Sequence, residues 1–228
     1  MKKTFVLLVA LLISGTLFCQ AVSGLDSVLR VRKMQKDSTL RVMAHADSVK
    51  VEKEFADKLK WDKINALLVY PLLNGGQYSG IIPVKDPTEI PDPGLDYKLL
   101  FELTANNPDS ASAEINAGLT EVARIINLHI ASGIPAKKIF PVIVVHAAAL
   151  NAITGNEYYK KHYKLENPNL KLIGDLTAAG ARFIACGQAM NFFNIKKEEL
   201  LPLVKVSLTA QTALSSYQLR GYVKYVLQ

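Results

Sequence analysis

The chain has 228 residues, 50% hydrophobic and 21% charged. That globular composition excludes a wholly disordered chain, a collagen and a coiled coil. Its 27 Lys and Arg against 20 Asp and Glu give +7, and 25 against 20, or +5, once Lys2 and Lys3 are set aside. A surplus that small, spread along the chain, does not argue for a nucleic-acid groove. Two cysteines cannot build a disulfide framework. The length fits a leader and one domain of average to large size.

Residues 1–24 read as a signal peptide. Lys2 and Lys3 form its positive start, Phe5 to Phe18 its apolar stretch, and Ala21, Ser23 and Gly24 the small residues a signal peptidase requires. An apolar run this short is a poor membrane span, and no other run approaches the roughly 20 apolar residues that spanning needs. The mature protein is therefore expected to be exported, periplasmic or secreted, without a membrane span. Phe18 before Cys19 fits the lipoprotein peptidase poorly, so Cys19 reads as a hydrophobic leader residue. Once the leader is removed, Cys186 is the one thiol left. An unpaired exported cysteine is either reactive or well buried.

Residues 25–61 are charged and free of Gly and Pro. Val28, Val31, Met34, Val51, Phe55 and Leu59 recur loosely, which predicts one long or two shorter amphipathic helices. Residues 62–96 change character. Pro71, Gly75, Gly76, Gly80, Pro83, Pro87, Pro91 and Pro93 rule out a long helix and predict an extended arm or an ordered loop. Within it, Leu67 to Tyr70 and Ile81-Ile82 are candidate short edge strands, where Pro is tolerated.

From Tyr97 the rhythm is regular. Lys98 to Leu103 reads as a strand. Asp109, Ser110 and Ser112 are candidate caps for a helix carrying Ile115, Leu119, Val122, Ile126 and Ile130 on one face, ended by Gly133 and Pro135. Pro141 to Val145 is a fully apolar strand, as burial on both faces demands. A helix from Asn167-Pro168 to Gly180, a strand over Arg182 to Ala185 and a short helix from about Gly187 to Phe193 follow. A strand over Val204 to Leu208, a helix over Thr209 to Arg220 and a last strand over Tyr222 to Val226 complete the chain. Strands alternating with helices predict an α/β fold: a five-stranded, mostly parallel sheet with helices on both faces over residues 97–228.

Sites in such sheets lie at the carboxyl ends of strands, near a reversal of strand order. That places Thr104 and Asn106 after the first strand, His146 after the second and Cys186 after the third as candidates. Gly187 and Gln188 join them where the next helix begins. A thiol there would face unpaired N–H groups and the positive end of the helix dipole, both of which favour the thiolate, the nucleophilic form. Gly187 removes a side chain that would crowd the sulfur. His146 is a candidate base or positive partner for that thiolate. Against this stands the bland alternative, since free cysteines are among the most buried residues. Tyr158 to Lys164 form a basic aromatic run. It reads as an exposed loop or helix face with rings buried at a subunit contact, or as the rim of a small-anion pocket with His146. No spacing reads as a metal site or a phosphate-binding loop, so no cofactor is expected.

The stretch from Tyr97 to Gln228 resembles the DsrE/DsrF-like family, which includes sulfur-relay proteins of the TusD type. The carrying segments are KLLFELT, the helix NAGLTEVARIINLHIASGIP, PVIVVHAAAL, GARFIACGQAM, IKKEELLP and the closing GYVKYVL. The resemblance implies a flavodoxin-like five-stranded sheet and homo-oligomers, often trimers or hexamers. It also implies a persulfide on the cysteine that ends the third strand, a position Cys186 matches, and so a sulfur donor or acceptor protein or a small sulfur anion as partner. His146 matches a histidine seen in many single-domain relatives. Ala147 stands where relatives often place Gly. Two functions follow as expectations: sulfur binding or transfer through Cys186, or a non-catalytic binding or assembly module whose thiol fills the core.

Overall fold

The structure, a computed structural model, describes the backbone of residues 2–227 and the side chains of residues 27, 30–45 and 47–227. The side chains of the expected signal peptide, Cys19 among them, lie outside the described residues. The chain divides into two compact units between Lys63 and Ile64.

The first unit is formed by a helix, α1 (Lys2–Asn65), which ends two residues past that division. The predicted buried face is absent from its described part: Val31, Met34, Val42, Phe55 and Leu59 are all exposed. At 3.6 residues per turn Val31 and the equally exposed Val51 fall on nearly opposite sides of the helix, so the predicted residues build no single apolar stripe. No helix among the described residues is long and apolar enough to cross a membrane.

The second unit holds a five-stranded sheet in the order β4-β3-β2-β1-β5. Its strands are β1 (Tyr97–Leu103), β2 (Ile139–Val145), β3 (Arg182–Cys186), β4 (Lys205–Ser207) and β5 (Val223–Leu227). Every pairing is parallel. The strand order therefore turns back at β1, which has β2 on one side and β5 on the other. The helices are α2 (Ala117–Ala131), α3 (Asn156–Tyr163), α4 (Leu170–Ala178), α5 (Gly187–Phe193) and α6 (Ala210–Leu219).

Strand side chains alternate between faces, and the two faces are covered unequally. Leu99, Phe101 and Leu103 of β1, Ile143 and Val145 of β2, and Phe183 and Ala185 of β3 enter a large core. There they meet Leu119 and Ile126 of α2, Tyr158 of α3, Leu172 and Leu176 of α4, and Met190 of α5. The other face, with Leu100, Val142, Val144, Ile184 and Cys186, buries only Ala210 and Leu214 of α6.

The Pro/Gly-rich arm is not a free extension. Leu73 and Ile81 are buried, and an antiparallel bridge joins Val69 to Ile81. Asn127 of α2 bolts the arm down: its Oδ1 accepts from the N–H groups of Leu72 and Leu73, and its Nδ2 donates to the carbonyls of Leu73 and Ser79. A buried amide satisfied at four points replaces the ladder that so many prolines forbid.

The start of α2 differs from expectation. Asp109–Ala111 form only a 3-10 turn, and the helix cap is Asn116, whose Oδ1 accepts from the N–H groups of Gly118 and Leu119. Likewise α4 starts at Leu170, after Asn169, and not at Asn167-Pro168.

Candidate functional site

Cys186 ends β3 in phase with Ile184, so its sulfur points to the α6 face. Its Sγ accepts a hydrogen bond from the Ala210 N–H at 3.2 Å. The helix start that meets the sulfur is thus that of α6, although Cys186 itself stands as the cap residue of α5. Strand alternation explains the change: the following helix leaves on the opposite face.

Gly187 serves a different neighbour from the one expected. A Cβ there would lie 2.9 Å from the Ser207 carbonyl oxygen and 3.4 Å from that of Leu208. The glycine lets the β4–α6 connection close over the end of β3, where the Gln188 N–H donates to the Leu208 carbonyl at 3.2 Å. Under that connection Cys186 is 4% exposed and packed among Leu100, Val142, Val144, Ile184 and Leu214. A cleft of about 480 Å³ opens beside it, lined by Gly187, Gln188, Asn191, Lys196, Val206 and Leu208 among others, but Cys186 is not among its walls. The sulfur is therefore covered in this chain, not open to solvent.

His146 does not pair with Cys186. Val145 and Ala185 are register partners, so the next residues of the two strands are neighbours. The imidazole nevertheless turns the other way, and its Nε2 meets Glu102 Oε1 of β1 at 2.9 Å. Glu102 Oε2 in turn meets Lys224 Nζ of β5 at 2.7 Å. Burial pushes the Glu102 carboxyl up, but the hydrogen bonds and charges of Lys224 and His146 outweigh it and hold the group below its ordinary value. Beyond His146, Ala147 takes the left-handed region with φ 54°.

The remaining candidates are scattered. Thr104 Oγ1 donates to the Leu227 carbonyl, and Asn106 Nδ2 to the Tyr163 hydroxyl. Gln188 is exposed. The basic aromatic run forms α3, and Tyr158 and Tyr159 are buried in the chain's own core, with no second subunit needed to cover them. Tyr158 stacks on His162 at 3.9 Å, and the Tyr159 hydroxyl donates to the Ser112 carbonyl. Among the described residues no cluster of His, Cys, Asp and Glu could hold a metal ion. The sequence reading passes over Glu102 and Lys224. A signal existed: Lys224 is the one charge of VKYVL, and Glu102 interrupts the apolar run of LLFEL in phase with the buried Leu100.

A family model described as the DsrE/DsrF-like family matches residues 98–225. No functionally curated protein matches the chain. Among solved structures, a protein of unknown function from Methanobacterium thermoautotrophicum, MTH1491, is 18% identical, with a TM-score of 0.43. The match covers 57% of this chain and 99% of that one.

Proposed function

Because the chain belongs to the DsrE/DsrF-like family, we propose that it is an exported homo-oligomeric protein that binds or transfers sulfur through Cys186. The observation that carries this reading is the Ala210 N–H aimed at Sγ, at the first residue of a ten-residue helix. A donor N–H at a helix start stabilises negative charge on sulfur as transfer requires.

The step balances without an added oxidant. The Cys186 thiolate attacks the terminal sulfur of a donor hydropersulfide. A sulfur–sulfur bond to Cys186 forms, the donor's sulfur–sulfur bond breaks, and the donor leaves as a thiolate. An acceptor thiolate repeats the attack and restores Cys186. Access requires the Ser207–Thr209 connection to swing away from the end of β3. That connection carries Leu208 at 76% exposure, and opening it breaks the Gln188 N–H bond to the Leu208 carbonyl and the pairing of Ser207 with Cys186. Exposed Phe192, Leu208, Leu219 and Val226 support burial in a homo-oligomer, which light scattering of the purified protein would measure.

The 4% exposure of Cys186 favours a second reading, in which the thiol is a packing element of a non-catalytic binding or assembly module. Intact mass after incubation with a hydropersulfide donor separates the two. A sulfur carrier gains sulfur on Cys186 under native conditions. A structural thiol gains none, resists alkylation until the chain is unfolded, and changes only stability when replaced in Cys186→Ser.

A further inference from the structure

Three ionisable side chains from neighbouring strands meet on the α6 face of the sheet, apart from the thiol. Glu102 divides its carboxylate: Oε1 takes His146 Nε2 and Oε2 takes Lys224 Nζ. The Glu102 side chain is only 14% exposed. Apolar residues would cover that face at less cost, because taking ions out of water is expensive. The carboxylate does, however, fix the state of an imidazole.

The other described ring contacts set His146 apart. His129 and His162 each place Nδ1 against the carbonyl four residues back, Ile125 at 2.7 Å and Tyr158 at 2.8 Å. That contact holds the proton on Nδ1 and ties a side chain to its own helix. His146 is reversed. An ionised carboxylate only accepts, so Nε2 carries a proton, and in the neutral ring the lone pair is on Nδ1. Nδ1 has no hydrogen-bond partner among the described residues, and the side chain is 22% exposed. The next residue, Ala147, holds a left-handed backbone that a non-glycine residue seldom adopts, and such outliers cluster at functional sites. The cluster also spans β2, β1 and β5, where the strand order turns back and ligand crevices form.

We propose that His146 is a proton-accepting site for a small molecule with an acidic X–H group, with Glu102 as its positioning residue and Lys224 as the counter-charge that keeps Glu102 ionised. The ligand's proton passes to Nδ1, the electron pair of the X–H bond stays on X, and the positive charge that appears on the ring is met at Nε2 by Glu102. The site is chemically separate from Cys186 and stands whether or not that thiol carries sulfur.

Nitrogen-15 NMR of the full chain labelled at histidine reads the tautomer, and diethyl pyrocarbonate with peptide mapping reads the free nitrogen. The expected result is the Nε2–H tautomer at His146 and carbethoxylation of His146 in the folded chain. Glu102→Gln should slow that modification roughly tenfold while leaving the His162 rate unchanged. An Nδ1–H tautomer, a His146 that does not react until unfolding, or an unchanged rate in Glu102→Gln would overturn the proposal. If Glu102→Gln does not fold, the tautomer in the unaltered chain decides.

Discussion

The two faces of the sheet are built on different terms. Among the described residues, 29 are buried in the core beneath α2, α3, α4, α5 and the arm, whereas seven are buried beneath α6. The thick face is closed hydrocarbon with the arm fastened over its edge. The thin face is covered by one helix, and Cys186, His146, Glu102 and Lys224 all lie on it. A charged side chain buried on the thick face would have no route to water. On the thin face it keeps partial exposure and finds a partner on the next strand.

Truncation breaks this contrast most strongly. Phe183→Ala on the thick face should cost about 3–5 kcal/mol, and Leu214→Ala on the thin face about 2 kcal/mol, as measured by urea denaturation. Equal losses would remove the distinction between the faces. Next is Gly187→Ala, which forces a Cβ against the Ser207 carbonyl. It should cost about 1–3 kcal/mol and, by lifting the β4–α6 connection, speed alkylation of Cys186. A destabilised chain whose thiol stays equally protected would show that another element does the covering.

Acid tests the polar half of the thin face. The folded-state pKa of Glu102 is lowered, so its contribution is present above the unfolded carboxylate value and is lost as pH falls through the folded one. Glu102→Gln should lower stability by about 1 kcal/mol at neutral pH, and the gap from the unaltered chain should close in acid. The smallest effect is expected at Ala147→Gly. Relief of the left-handed backbone, partly offset by glycine's greater unfolded freedom, should raise stability by about 0.5–1 kcal/mol.

Much of this was legible in the sequence, for a physical reason. Strands buried on both faces must be apolar throughout, so PVIVV and RFIA announce themselves. Gly133, Gly180 and Gly221 end helices because each takes a positive φ, at 91°, 92° and 82°. The start of α2 was not legible. Asn107 organises the preceding loop through the carbonyls of Ala111, Glu114 and Ile115 and the N–H of Ala117, and so delays the helix to Asn116. The Glu102–Lys224 pair links residues 122 positions apart and shows itself only once β1 and β5 are neighbours. Strand ends located Cys186 and His146 but not their partners, because the direction in which a side chain turns depends on what the adjacent strand offers.

The most direct measurement is the intact mass of the purified folded protein after exposure to a hydropersulfide donor, with the modified residue mapped by peptide analysis. A Cys186 that carries sulfur gains the mass of one sulfur atom, loses it to an added acceptor thiol, and fails to gain it in Cys186→Ser. A folded chain that takes up no sulfur at Cys186, while its unfolded form reacts readily, would contradict sulfur transfer and leave the thiol as a piece of the thin core.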